Sequence, residues 1–129
     1  MVTNTENKED ALRKKTRDFY QNSQSFREKH NDCPVRSIMA AATDKWSILV
    51  IFNLSYHKVL RFNRFKYFIP DISSRMLSVT LKRLEEKQII RRKMYAEVPP
   101  RVEYRLTELG KGLAVRLLDV SEWLTGQYE

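Results

Sequence analysis

Apolar positions along this chain recur with a helical period over most of its length. From Glu9 to Lys29, Leu12, Phe19 and Phe26 stand at heptad spacing with Ala11 and Tyr20 beside them. Such a narrow stripe suits a helix that packs on another helix, either a second copy's or one of its own domain. The polar residues 1–8 ahead of it are expected to be disordered. Cys33-Pro34 opens the next element: proline suits the first helical position, which leaves Cys33 near the N-cap of a segment Val35 to Ala42 with Ile38, Met39 and Ala42 as its apolar side. Thr43-Asp44 restarts a helix through Leu54, with Trp46, Leu49, Val50 and Leu54 on a broad buried face. A loop at Tyr56-His57-Lys58 leads to a short helix, Arg61 to Phe68, which turns Phe62, Phe65, Phe68 and Ile69 inward and ends at Pro70.

The stretch from Ile72 to Lys87 follows. Leu77, Leu81 and Leu84 form one apolar stripe, while Ser74, Arg75, Ser78, Val79, Lys82 and Arg83 occupy the outward arc. Ser73 is a good N-cap. The arc carries three cations and no acid, and the glutamates wait until Glu85-Glu86. Carboxylates normally favour the first turn of a helix, so this distribution serves an anionic partner rather than the helix itself. By itself the segment would pass as a solvated amphipathic helix; its neighbours favour a major-groove reader.

After Lys87 the period shortens. Ile89 to Tyr95 and Val102 to Leu106 are two runs of β-formers, and Pro99-Pro100, which cannot donate ladder hydrogen bonds, mark the tip between them. This hairpin bears Arg91, Arg92, Lys93, Arg101 and Arg105, so it reads as a basic wing beside the groove helix. Thr107 then caps a final helix in which Leu109, Leu113, Leu117, Val120 and Leu124 recur on one side, with Leu118 and Trp123 alongside. A helix this apolar exceeds what a small core can cover and is expected to pack in part on a second subunit.

Charge sharpens the picture. The 129 residues carry a formal net charge of +8. His57 to Arg105 hold 13 Lys and Arg against 5 acids, which accounts for the whole excess, as a polyanion-binding face requires. A basic membrane-surface helix would gather its cations on one continuous helix, and here they spread over several elements. With no run of 18 apolar residues and a polar, mixed-charge N-terminus, neither a membrane span nor a secretory signal is expected, which points to the cytoplasm. One cysteine rules out an intramolecular disulfide and a cysteine-rich zinc site. His30 and His57 stand apart from acids and from Cys33 and are expected to be solvated; Glu85-Glu86 ends a helix rather than forming an acid/base pair; Gly110, Gly112 and Gly126 make no phosphate loop. No nucleophile-base or metal set can be assembled, so no enzyme and no cofactor are expected.

The ordered string Cys33-Pro34-Val35, Lys45-Trp46, Leu60-Arg61-Phe62-Asn63, Ile72-Ser73, Arg75-Met76-Leu77, Leu81, Leu84-Glu85, Pro99-Pro100-Arg101-Val102-Glu103-Tyr104 and Leu106-Thr107-Glu108-Leu109-Gly110 resembles the HxlR (DUF24) family of bacterial winged helix-turn-helix transcriptional regulators over Cys33 to about Trp123. The resemblance implies a homodimeric DNA-binding regulator with its recognition helix and wing where the residues put them. Two departures stand out: Thr43-Asp44 replaces the small glycine-containing turn that usually precedes Lys-Trp, and the arm before Cys33 is longer. Several members of the family sense oxidants, quinones or aldehydes through the cysteine that corresponds to Cys33. A helix N-terminus would favour the Cys33 thiolate and neighbouring Asp32 would oppose it, and with no second cysteine any reversible oxidation would need a Cys33 to Cys33 bridge between subunits, a mixed disulfide or an adduct. The alternative is a buried small hydrophobe at a helix start.

The expected fold is mainly α with a small β-hairpin wing: a disordered 1–8, a dimerisation arm at 9–31, a winged helix-turn-helix domain at 32–106 and a C-terminal dimerisation helix at 107–129. Ser73, Ser74, Arg75, Ser78, Val79, Lys82 and Arg83, together with Arg61, are assigned to DNA, and Lys93 and Arg101 of the wing to phosphate or minor groove. Leu12, Phe19, Phe26, Leu113, Leu117, Val120 and Leu124 are assigned to the dimer. The expected partners are a near-palindromic double-stranded operator with half-sites roughly 34 Å apart or a multiple of that, a second copy of the chain, and an oxidant or small-molecule effector. The competing reading is a winged-helix protein-interaction module, which salt dependence would separate from DNA binding.

Overall fold

The computed structural model describes residues 4–128, which fall into two compact units divided between Met39 and Ala40. The first unit contains α1 (Asn4–Asn22), α2 (Gln24–His30) and a π-helical turn (Val35–Met39). Residues 4–8, expected to be disordered, are helical, because no Gly or Pro between Asn4 and Glu9 interrupts the helix that follows; residues 1–3 of that expectation lie outside the described residues. The arm is also not one helix. The helix is interrupted at Ser23, whose hydroxyl and backbone N–H both donate to the Phe19 carbonyl, at 2.6 and 3.0 Å, before α2 begins. Asn31, in the left-handed region at φ 52°, ends α2.

The second unit contains α3 (Ala40–Ala42), α4 (Lys45–His57), α5 (Phe62–Phe68), α6 (Ser74–Glu86), the antiparallel pair β1 (Ile90–Tyr95) and β2 (Arg101–Leu106), and α7 (Glu108–Gln127). The compact boundary thus lies further along the chain than residue 31, and α7 belongs to the same unit as the helix-turn-helix. Helix α4 is its centre, touching α3, α5, α6, α7 and β2. Its buried Val50, Ile51 and Leu54 meet Phe65 of α5, Leu77, Leu81 and Leu84 of α6, and Ile89, Ile90, Tyr104 and Leu106 around the sheet. Each such side chain contributes about 1.5–3 kcal/mol when fully buried.

The junctions between elements are set by caps. Asp44 accepts from the backbone N–H of Trp46 at 3.1 Å and of Ser47 at 3.0 Å, and so starts α4 at Thr43-Asp44, as expected. Helix α4 runs on to His57, into the expected loop, and stops where Lys58 takes φ 68°. Ser73 caps α6 by accepting from Met76 N–H at 3.0 Å, and Thr107 caps α7 by accepting from Gly110 N–H at 3.0 Å. Gly110 is required there: a Cβ would stand 2.1 Å from the Ile89 carbonyl oxygen, the same oxygen that accepts from Thr107. The hairpin pairs Ile90 with Leu106, Arg92 with Tyr104 and Tyr95 with Arg101, and Pro99-Pro100 lie beyond the last pair, as expected.

Candidate nucleic-acid interface

Helix α6 divides cleanly into two faces. Leu77, Thr80, Leu81 and Leu84 are buried, while Ser74, Arg75, Ser78, Val79 and Lys82 are exposed, with Val79 at 47%. An apolar side chain left this open at the centre of a basic arc is available for contact with a thymine methyl. Thirteen residues make a rod about 20 Å long, which suits a major groove. Ser73 is exposed, with its hydroxyl committed to the cap, and Ser74 receives a hydrogen bond from the Lys66 ammonium of α5. That bond draws a fourth cation to the N-terminal end of the arc, one the helical period of α6 could not reveal.

Arg83 departs from the expected set. Its guanidinium lies 3.4 Å from Asp44, so it ties α6 to the N-terminus of α4 instead of standing free on the arc. Arg61 is exposed at the N-cap of α5, beside Arg64 and His57 in a cleft of about 390 Å³ away from the groove face of α6. His30 is exposed, as expected, with its ring tilted against Phe26 at 4.3 Å, whereas His57 is half-buried and stacks on Phe68 at 4.1 Å.

The sheet register sorts the wing cations. Successive strand residues face opposite sides, so Arg92 shares the face of Ile90, Tyr104 and Leu106, while Arg91, Lys93, Glu103 and Arg105 lie on the other. Arg92 therefore borders a cleft of about 390 Å³ together with Ser78, Lys82 and Glu85 of α6. Lys93 sits over the Tyr95 ring at 4.7 Å. Arg101, assigned as a clamp, is committed within the wing: it covers Tyr95 at 4.0 Å and lies 3.4 Å from both Glu97 and Glu103. The wing residue beside α6 is Arg92, and the strand period counted back from buried Tyr104 and Leu106 would have found it.

Cys33 is half-buried at the start of the π-helical turn, where its carbonyl accepts from Ser37 N–H at 2.9 Å. Hydrogen bonds from the backbone N–H groups of Val35 and Arg36 hold its thiol below the ordinary value, partial burial opposes them, and the nearby Arg27 adds to the lowering. Asp32 accepts from the Cys33 backbone N–H at 2.8 Å.

Of the residues assigned to the dimer, Leu12 is 65% and Phe19 41% exposed, whereas Phe26 is half-buried. On α7, Leu113 and Leu117 are half-buried and pack against their own core, because the first turns of the helix are held down by Thr107 and Gly110. Val120, Trp123 and Leu124 are exposed.

Comparison with known proteins settles what kind of molecule carries this face. Residues 41–129 match the model described as HxlR-like helix-turn-helix. The chain belongs to this HxlR-like family. Among curated relatives, the HTH-type transcriptional regulator YdeP of Bacillus subtilis is 38% identical over 91 residues, 70% of each chain. An HTH-type regulator of Methanothermobacter thermautotrophicus is 44% identical over 91 residues, 70% of this chain and 69% of that one. Among solved structures, the redox regulator HypR in its oxidised form superposes with a TM-score of 0.65 at 36% identity, covering 75% of this chain and 97% of HypR. Diamide-treated YodB from B. subtilis gives a TM-score of 0.64 at 32% identity, covering 74% of this chain and 94% of YodB. This HxlR-like protein is a transcriptional regulator of the winged helix-turn-helix type, mainly α with a two-stranded wing. Among the described residues no helix is long and apolar enough to cross a membrane, and no group of three His, Cys, Asp or Glu could hold a metal ion.

Proposed function

We propose that this protein binds a specific double-stranded DNA operator as a homodimer, with α6 in the major groove and the wing on the adjacent backbone. The observation that carries the reading is the divided face of α6: a leucine-anchored underside, and an exposed arc of Ser74, Arg75, Ser78, Val79 and Lys82 flanked by Lys66 and Arg92. Hydroxyls and a guanidinium reach base edges, and the flanking cations meet phosphates. Two such helices related by a dyad call for a near-palindromic site with half-sites about 34 Å apart, or a multiple of that. The exposed apolar side chains of α1 and of the distal part of α7 are the surfaces assigned to the second copy.

Binding to promoter DNA and to a scrambled duplex across a salt series tests this. Selective binding that weakens by orders of magnitude between about 50 and 200 mM salt is expected, because phosphate contacts release counterions. Binding indifferent to sequence and salt would overturn it in favour of a protein-interaction module.

We further propose that Cys33 switches this binding, a reading supported by the likeness to the redox regulator HypR in its oxidised form and to diamide-treated YodB. Diamide would take two electrons and two protons from two Cys33 thiols of a dimer to form one disulfide, or would join Cys33 to a low-molecular-weight thiol. The Cys33→Ser variant should bind DNA like wild type and ignore diamide. A variant that still responds would end the idea.

A further inference from the structure

We propose that a cavity between α4, β2 and α7 is a binding site for a small amphipathic carboxylate, an ion of single negative charge on an aliphatic body. The cavity measures about 560 Å³, within the range of small-molecule pockets. Its buried floor is Leu54 of α4, Leu106 of β2 and Ala114 of α7, and the more exposed Val115 and Leu118 continue it outward. No aromatic ring lines it, so the surface it offers is aliphatic.

The charged groups at its edge are all cations: Lys58, Arg105 and Lys111. Lys111 lies 3.0 Å from Glu108 and Arg105 3.8 Å from Glu103, while Lys58 has no acidic partner among the described residues. About one unit of positive charge is therefore left uncompensated, which matches a monoanion better than a phosphate dianion. Lys58 is also held in place by its backbone, at φ 68° with its N–H on the Leu54 carbonyl at 3.0 Å, so its ammonium starts from a fixed point on the rim. The walls join the return strand of the wing to α7. An occupant would fix the wing relative to the helix whose distal end is assigned to the dimer; that regulatory consequence rests on the DNA-binding reading, whereas the site itself does not.

Octanoate and its uncharged counterpart octanamide are the probes, titrated into the full-length protein without DNA and followed by amide NMR. Octanoate should bind with a dissociation constant on the order of 0.1–1 mM, with shifts concentrated at Leu106, Ala114, Val115 and Leu118. Octanamide should bind roughly tenfold more weakly, the share of a charge-assisted contact. In the Lys58→Ala/Lys111→Ala double variant, both positions solvent-exposed, the acid should lose that advantage over the amide. Val115→Trp, at a site open enough to accept the ring, should block both probes. Equal affinity for acid and amide, shifts confined to the exposed end of α7, or wild-type binding by Val115→Trp would each overturn the proposal. None of these results depends on whether the protein binds DNA, so the two readings fail separately.

Discussion

Thr80 shows how sharply the two faces of α6 are separated. It is fully buried among Leu77, Leu81 and Leu84, and its hydroxyl has no hydrogen-bond partner. An unsatisfied buried hydroxyl costs about 1–3 kcal/mol, and valine has the same shape without it. Thr80→Val should therefore raise stability by about 1 kcal/mol in urea unfolding and leave DNA affinity unchanged; a less stable variant would mean the hydroxyl is satisfied in solution. On the opposite face, Arg75 is exposed. If it reads a base, Arg75→Ala should cost about 1–3 kcal/mol of operator affinity and relax preference at one base pair, and equal loss on all sequences would make it a phosphate contact. Cys33 adds a prediction in pH. Its folded value is depressed, chiefly by the Val35 and Arg36 N–H groups, so the fold favours thiolate. The associated stability is fully present above the unfolded thiol's value and is lost as pH falls through the folded one. Alkylation by iodoacetamide should accordingly reach half its maximal rate at a lower pH in the native protein than in the urea-unfolded chain, and coincident midpoints would show that the native N–H groups do not reach the sulfur.

Among the elements, one polar side chain links the start of α4 to α6. Asp44 accepts from two backbone N–H groups of α4 and from the Ser47 hydroxyl at 2.8 Å, and it faces Arg83 of α6 at 3.4 Å. Asp44→Ala should cost about 1–2 kcal/mol through loss of the cap. Asp44→Asn, an equally good cap, should cost less than about 1 kcal/mol, because the ion pair with Arg83 is partly exposed. Equal losses would shift the weight from the cap to the ion pair. Helix α6, its Ser73 cap, the hairpin and α7 were all legible in the sequence, because the period of apolar residues and the capping residues are local signals. What was not legible came from the pairing of one side chain with another. Arg83 turns to Asp44, Arg101 turns to Glu97 and Glu103, and Lys66 reaches Ser74. A charge count cannot distinguish a free cation from a paired one.

At the scale of the whole molecule, the excess charge and the exposed apolar side chains point to different partners. All the net charge lies within 57–105, which includes α6 and the wing, while the large apolar groups left open include Leu12 and Phe19 of α1 and Val120, Trp123 and Leu124 of α7. Helix α7 is anchored at its start by Thr107, Gly110 and Ala114, and beyond Leu117 it holds no buried residue, so its distal half has no reason to be apolar unless something covers it. Val120 is 55% and Leu124 45% exposed, and glutamate at both positions adds charge without disturbing the core. The Val120→Glu/Leu124→Glu variant should keep the melting behaviour of its helix-turn-helix unit yet sediment as a monomer at micromolar concentration. Its affinity for a two-half-site operator should fall by orders of magnitude, whereas binding to a single half-site should stay as it was, because each α6 remains intact and only the linkage of the two is lost. A variant that still sediments as a dimer would exclude the distal half of α7 and leave the α1 stripe of Leu12 and Phe19 as the surface that joins the copies.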